Sequence, residues 1–192
     1  MYSRPIVMFV TLLFCVATFA DGGFVSAYER LVDSDGNITL PDDFRDNWTF
    51  LGTWSIAAED VEQSSAASNH GAAGLHNVYV QNGVADYFRT NGSFPDGAML
   101  IKELLQASTA PMTTGTVSRG TKVEGWFVMV KDTKGRFSGN PLWGDGWGWS
   151  LFNASDPTLP VTENYKTECI GCHIPARNDD WIYIAGYPTL AD

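Results

Sequence analysis

Lys122-Val123-Glu124-Gly125-Trp126-Phe127-Val128-Met129-Val130 alternates apolar with polar residues and then runs into an unbroken apolar stretch. Lys134-Gly135 supplies a turn, and Trp143-Gly144-Asp145-Gly146-Trp147-Gly148-Trp149-Ser150-Leu151-Phe152 follows with its tryptophans spaced by glycines. A period of two, bounded by turn residues and rich in aromatic and β-branched side chains, is the pattern of a strand. The second segment reads as one further strand lining something flat, because glycine in a strand lets a ligand or another backbone come close. A bulged core strand with its tryptophans on one face is the alternative.

The same pattern extends toward the N-terminus. Trp48-Thr49-Phe50-Leu51-Gly52-Thr53-Trp54-Ser55-Ile56 reads as a strand, residues 57–74 as a small-residue loop, and residues 75–80 and 98–105 as two more strands. Residues 84–89 form a short helix closed by Asn91-Gly92. Asp33-Ser34-Asp35-Gly36-Asn37 opens like a calcium loop, but the twelfth position is Phe44 where a bidentate Glu is needed, so it reads as a polar turn. Together these runs predict an α+β fold, mainly an antiparallel sheet with a few short helices, in a single domain over residues 21–192.

Composition bounds the function. The 192 residues are 44% hydrophobic and 18% charged, which suits one core rather than two. The 7 Trp, 7 Tyr and 11 Phe supply rings for a core or for a pocket around a large flat ligand. A formal charge of −10 excludes a phosphate backbone as partner and favours a basic redox protein. Residues 1–20 hold Arg4, an apolar run at 6–16 and small residues ending Thr18-Phe19-Ala20, the pattern of a secretory signal. The run is shorter than the roughly 18 to 20 apolar residues of a spanning helix. The expectation is therefore a periplasmic or secreted protein without membrane insertion once the signal is removed, with an uncleaved N-terminal anchor as the competing reading.

Loss of the signal removes Cys15 and leaves Cys169 and Cys172, three apart and followed by His173. Cys169-Ile170-Gly171-Cys172-His173 is the C-x-x-C-H of haem c attachment, in which two thiols add to the haem vinyl groups and the histidine reaches the iron. A redox dithiol, a disulfide and half of a zinc site are the alternatives. No second Cys pair completes a closed zinc site, and no βαβ pattern surrounds the motif. The other face of the iron then decides between a carrier and an open site. Met99, Met112, Met129, His70 and His76 are the candidate sixth ligands, with Met129 favoured as core and His70 as solvated loop. Phe94, Trp126, Trp147 and Trp149 are expected to form an aromatic wall that excludes water.

Several stretches also carry a family resemblance: Pro41-Asp42-Asp43-Phe44-Arg45, Leu51-Gly52-Thr53, Asn77-Val78-Tyr79-Val80, Phe94-Pro95-Asp96-Gly97, Lys102-Glu103-Leu104, the haem motif and Tyr187-Pro188-Thr189-Leu190. In this combination the chain resembles the cytochrome P-460 family, which includes the five-coordinate cytochromes c-prime-beta. The resemblance implies an antiparallel β fold that packs as a homodimer, with one haem c bound near the C-terminus. It implies that Lys102 is joined covalently to the haem and that the protein oxidises hydroxylamine, with nitric oxide chemistry at the iron and electrons leaving to a soluble cytochrome. Related enzymes place an arginine on the distal side where this chain has His76. The unlinked relatives imply the second reading, a module that binds nitric oxide or another small gas without turnover. A small six-coordinate electron carrier is the third, and would need a methionine or His76 on the iron.

Overall fold

Seven strands and five short helices organise residues 26–58 and 71–191, the part of the chain that the computed structural model describes. The expected signal at 1–20, most of the predicted loop at 57–74 and His70 lie outside the described residues. In chain order the elements are α1 (Tyr28–Leu31), α2 (Phe44–Asn47), β1 (Thr49–Ala57), β2 (Ala72–Val80), α3 (Val84–Asn91), β3 (Met99–Met112), β4 (Gly115–Lys131), β5 (Trp143–Gly144), β6 (Trp147–Asn153), β7 (Asp156–Pro160), α4 (Tyr165–Glu168) and α5 (Ile170–His173). Among the described residues no helix is long and apolar enough to cross a membrane.

The strands form one antiparallel sheet in the order β1-β2-β3-β4-β6-β5, with β7 also pairing with β6. The predicted fold class is therefore observed. Two elements differ from expectation. β3 runs seven residues past its predicted end at 105, and β4 begins at Gly115, so the two make a long hairpin whose outer half is largely polar and exposed. Cross-strand hydroxyl pairing, such as Thr109 with Ser118 at 2.7 Å, holds this half, where there is no apolar alternation to read.

The stretch at 143–152 is a tight hairpin and not one strand. Asp145 and Gly146 form its turn with φ of 54° and 82°, the left-handed pair that a type I′ connection needs. Its glycines make room for protein rings. A Cβ on Gly148 would lie 2.6 Å from the Trp143 ring, and one on Gly144 would collide with the Tyr165 hydroxyl.

Strand register gives the sheet two faces, because successive side chains point to opposite sides. On one face Val78, Val80, Leu100, Met129, Trp147 and Trp149 pack under α3 and the C-terminal segment, including Tyr165, Cys169, Trp181 and Leu190. On the other, Met99, Ile101, Trp126, Val128 and Phe152 pack under the N-terminal segment through Leu31, Ile38 and Phe44. Each fully buried large apolar side chain contributes about 1.5–3 kcal/mol, so these two layers supply most of the driving force.

Two polar clusters lock the layers. Glu103 is 3% exposed and accepts from Arg45 Nε at 2.9 Å and from Trp126 Nε1 at 3.2 Å, which ties β3 to α2. Asp96 accepts from the backbone and hydroxyl of Thr133, both at 2.9 Å, and pairs with Arg136, which also reaches Asp132. Hydrogen bonds from Arg136, supported by those from Thr133, hold the Asp96 carboxyl far below the usual carboxylate range. A depressed carboxylate pKa stabilises the fold fully above its unfolded value of ~4, and that contribution is lost as pH falls below it. Thermal denaturation of Asp96→Asn should therefore show a deficit near neutral pH that shrinks steadily below about pH 4. A deficit that stays constant across that range would refute the assignment.

Candidate functional site

The C-terminal segment places the haem motif. Asn164 caps α4, its side chain accepting from Lys166 N, and the Glu168 carboxylate accepts from Glu163 N at 3.1 Å and Asn164 N at 2.8 Å. Cys169 joins α4 to α5, which carries Cys172 and ends at His173. Both thiols are free, with Cys169 buried and Cys172 exposed. Burial pushes the Cys169 thiol up to about 11.

His173 Nδ1 lies 2.7 Å from the carbonyl of Trp181. A carbonyl only accepts, so Nδ1 carries the proton and Nε2 keeps its lone pair. Burial lowers the pKa of the ring and favours this neutral form. Trp149 meets the imidazole edge-on at 4.9 Å and is itself stacked on Tyr165 at 5.8 Å.

These groups border a cavity of about 360 Å³ between the C-terminal segment and the sheet, within the size range of small-molecule sites. Its floor is the β2-β3-β4 face. Val78, Lys102 and Phe127 are register partners across these three strands, and Leu100 is paired with Met129 one step along. Lys102 Nζ lies 4.6 Å from the centroid of Phe127 and, among the described residues, forms no ion pair. Burial lowers its pKa. His76 sits one register step further out, opposite Leu104 and Trp54. Burial, with the Lys102 ammonium adding to it, pushes His76 down to about 4 and keeps it neutral.

Lys102, His76, Cys169, Cys172, His173 and Trp149 thus share one cavity. The rest of the expected aromatic wall lies elsewhere. Trp126 is on the opposite face of the sheet, bonded to Glu103; the residue one step along, Phe127, lines the cavity instead. Phe94 packs against Phe88 at 4.7 Å and Trp147 at 5.6 Å, and neither Phe94 nor Trp147 reaches the cavity wall. Trp54, Tyr183 and Tyr187 are further aromatic residues of the lining. Of these, Trp54 is a strand aromatic on the face that strand parity assigns, whereas the two tyrosines come from irregular C-terminal turns that leave no periodic signal.

Among the candidate sixth ligands, Met129 and His76 line the cavity. Met129 is therefore both core and wall. Met99 is buried on the opposite face, Met112 is exposed beside the hairpin tip, and His70 lies outside the described residues.

The donors fit a haem c. Two thiols at the required spacing, one neutral imidazole with Nε2 free and a largely apolar slot are what that group needs. No group of three or more His, Cys, Asp or Glu that would hold a bare metal ion occurs among the described residues. A family model described as Cytochrome P460 matches residues 41–184 of the chain. No curated protein matches it.

Proposed function

The chain belongs to the cytochrome P460 family of haem c proteins, and from that premise we propose that it is an exported mono-haem c oxidoreductase that oxidises hydroxylamine. The observation that carries the reading is the meeting of a half-buried lysine amine, a neutral imidazole and the C-x-x-C-H donors on one cavity. Cys169 and Cys172 would form the thioethers and His173 Nε2 would hold the iron. When bound there, the haem would supply a redox-active iron.

The chain's own residues supply the rest. Burial raises the share of Lys102 present as the free amine, the form with a lone pair to bond the macrocycle. Exchanging a ring C–H for the C–N bond also releases two protons and two electrons, which a two-electron oxidant such as a peroxide would take up. His76, held neutral, offers a ring nitrogen that accepts a hydrogen bond from a substrate N–H or O–H. With its pKa near 4 the ring passes the proton on to solvent rather than keeping it. Val78, Leu100 and Phe127 keep bulk water from the reacting centre.

The net charge of −10 suits a basic soluble cytochrome as electron acceptor. Export to the periplasm and assembly as a homodimer belong to the same proposal. The test is hydroxylamine-dependent reduction of a soluble ferric cytochrome c by the haem-loaded protein. Turnover is expected, with His76→Leu slowed by about 10²-fold or more. Haem-loaded protein that binds nitric oxide but never turns over would instead establish the gas-binding reading, which the apolar floor also suits. A low-spin spectrum indifferent to nitric oxide would move the function to electron transfer through Met129 or His76.

A further inference from the structure

Two consecutive strained residues lie beside the histidine of the haem motif. Asp180 and Trp181 follow the 3-10 turn Ile174–Asp179 with φ of 57° and 67°. This left-handed conformation is unfavourable for residues with side chains, most of all for one as bulky as Trp, and it persists only where surrounding contacts impose it.

Those contacts are specific. Lys131 and Trp147 are register partners across β4 and β6. Lys131 Nζ donates to Asp180 Oδ1 at 2.5 Å, and the Lys131 side chain is only 10% exposed. Trp147 Nε1 donates to the carbonyl of Asp180 at 3.1 Å, while the Trp147 ring carries the Lys131 ammonium 4.7 Å from its centroid. The turn is thus held at its side chain and its carbonyl by one cross-strand pair. Its product is the Trp181 carbonyl aimed at His173 Nδ1, 2.7 Å away.

We propose that the Lys131–Asp180 ion pair, seated on Trp147, is a positioning device for the haem-ligating histidine. It holds the left-handed turn so that the Trp181 carbonyl draws on the Nδ1 proton and makes Nε2 a stronger donor to iron. Neither Lys131 nor Asp180 lines the cavity. The assignment rests on His173 as the iron ligand and extends that reading to residues outside the site.

The test is the iron–histidine stretching band of the ferrous haem-loaded protein, read by resonance Raman spectroscopy beside the midpoint potential. Lys131→Met with Asp180→Asn removes the pair without changing net charge. It is expected to lower the band frequency and to shift the potential to more positive values, because a weaker donor stabilises ferric iron less. Lower unfolding stability with an unchanged band would show the pair to be merely structural and overturn the proposal. If the double variant fails to load haem, Asp180→Asn alone, whose side chain tolerates the left-handed conformation, decides on the same band. Absence of the band from a wild-type protein whose ferrous haem is high-spin would remove His173 as ligand and the proposal with it, an outcome distinct from an unchanged frequency in the variants.

Discussion

Protein carrying Cys169→Ser and Cys172→Ser together in a Lys102→Met background, which removes the proposed ring link, is expected to release all of its haem into acidified organic solvent, whereas Lys102→Met alone should retain it. The two thiols are the free sulfurs of the described residues, and both border the cavity. Without them and without the Lys102 link, only the His173 coordination bond and apolar contact would hold the ring, and acid removes the first by protonating the imidazole. The loss should also appear as stability. A group that binds only the native state stabilises it, so the extracted, haem-free triple variant should unfold at a lower temperature than the loaded Lys102→Met protein. His173→Ala separates the two bonds. It should keep haem on the peptide through the thioethers while losing the iron–histidine band. Haem released by Lys102→Met, with both cysteines intact, would refute thioether attachment.

How much of this was legible in the sequence depends on the range of the signal. The haem motif is local: three residues in fixed order state their own chemistry, and the sheet face merely receives them. The strand at 48–56 was legible from its aromatic and β-branched content, and the strand at 122–130 from a period of two that runs into a stretch buried on both faces. Parity, read one residue more finely, would also have separated Trp126 from Phe127, since neighbours in a strand cannot share a face. The glycine-spaced tryptophans misled because a glycine records only that something approaches, and at 144 and 148 the visitors are Tyr165 and Trp143. The Asp145-Gly146 turn was the available cue for a hairpin. Nothing local announces the outer half of the β3–β4 hairpin or the cavity tyrosines at 183 and 187. Those positions are set by pairing and by packing of distant segments.

The same parity gives a structural reason for the motifs around Lys102. Glu103, its neighbour, turns to the opposite face and pairs with Arg45 and Trp126, while Gly97 takes a left-handed φ of 77° after the Asp96 clamp. Residues on either side of Lys102 thus serve the fold and fix the register that sends the lysine into the cavity.

Lys102 itself is expected to weaken the haem-free fold. A half-buried ammonium without a carboxylate partner among the described residues carries a desolvation cost that its Phe127 contact offsets only in part. Lys102→Met keeps the stem and removes the charge, so the haem-free variant should gain about 1–2 kcal/mol, read as a higher urea midpoint. In the haem-loaded protein the same substitution should have the opposite value. The dithionite-reduced wild type is expected to show a red-shifted Soret band from the macrocycle link, and a digest should leave haem and peptide joined by more than the thioethers. Lys102→Met and Lys102→Arg should both give an ordinary haem c spectrum and lose hydroxylamine turnover. The arginine variant is the sharper of the two. It preserves a cation and a long stem, but a guanidinium does not deprotonate and so has no free amine with which to attack the ring. A red-shifted band that survives in Lys102→Arg would exclude the link. If the haem-free Lys102→Met variant proved less stable than the wild type, the side chain would be a structural member of the β3 floor and not a residue held there for chemistry.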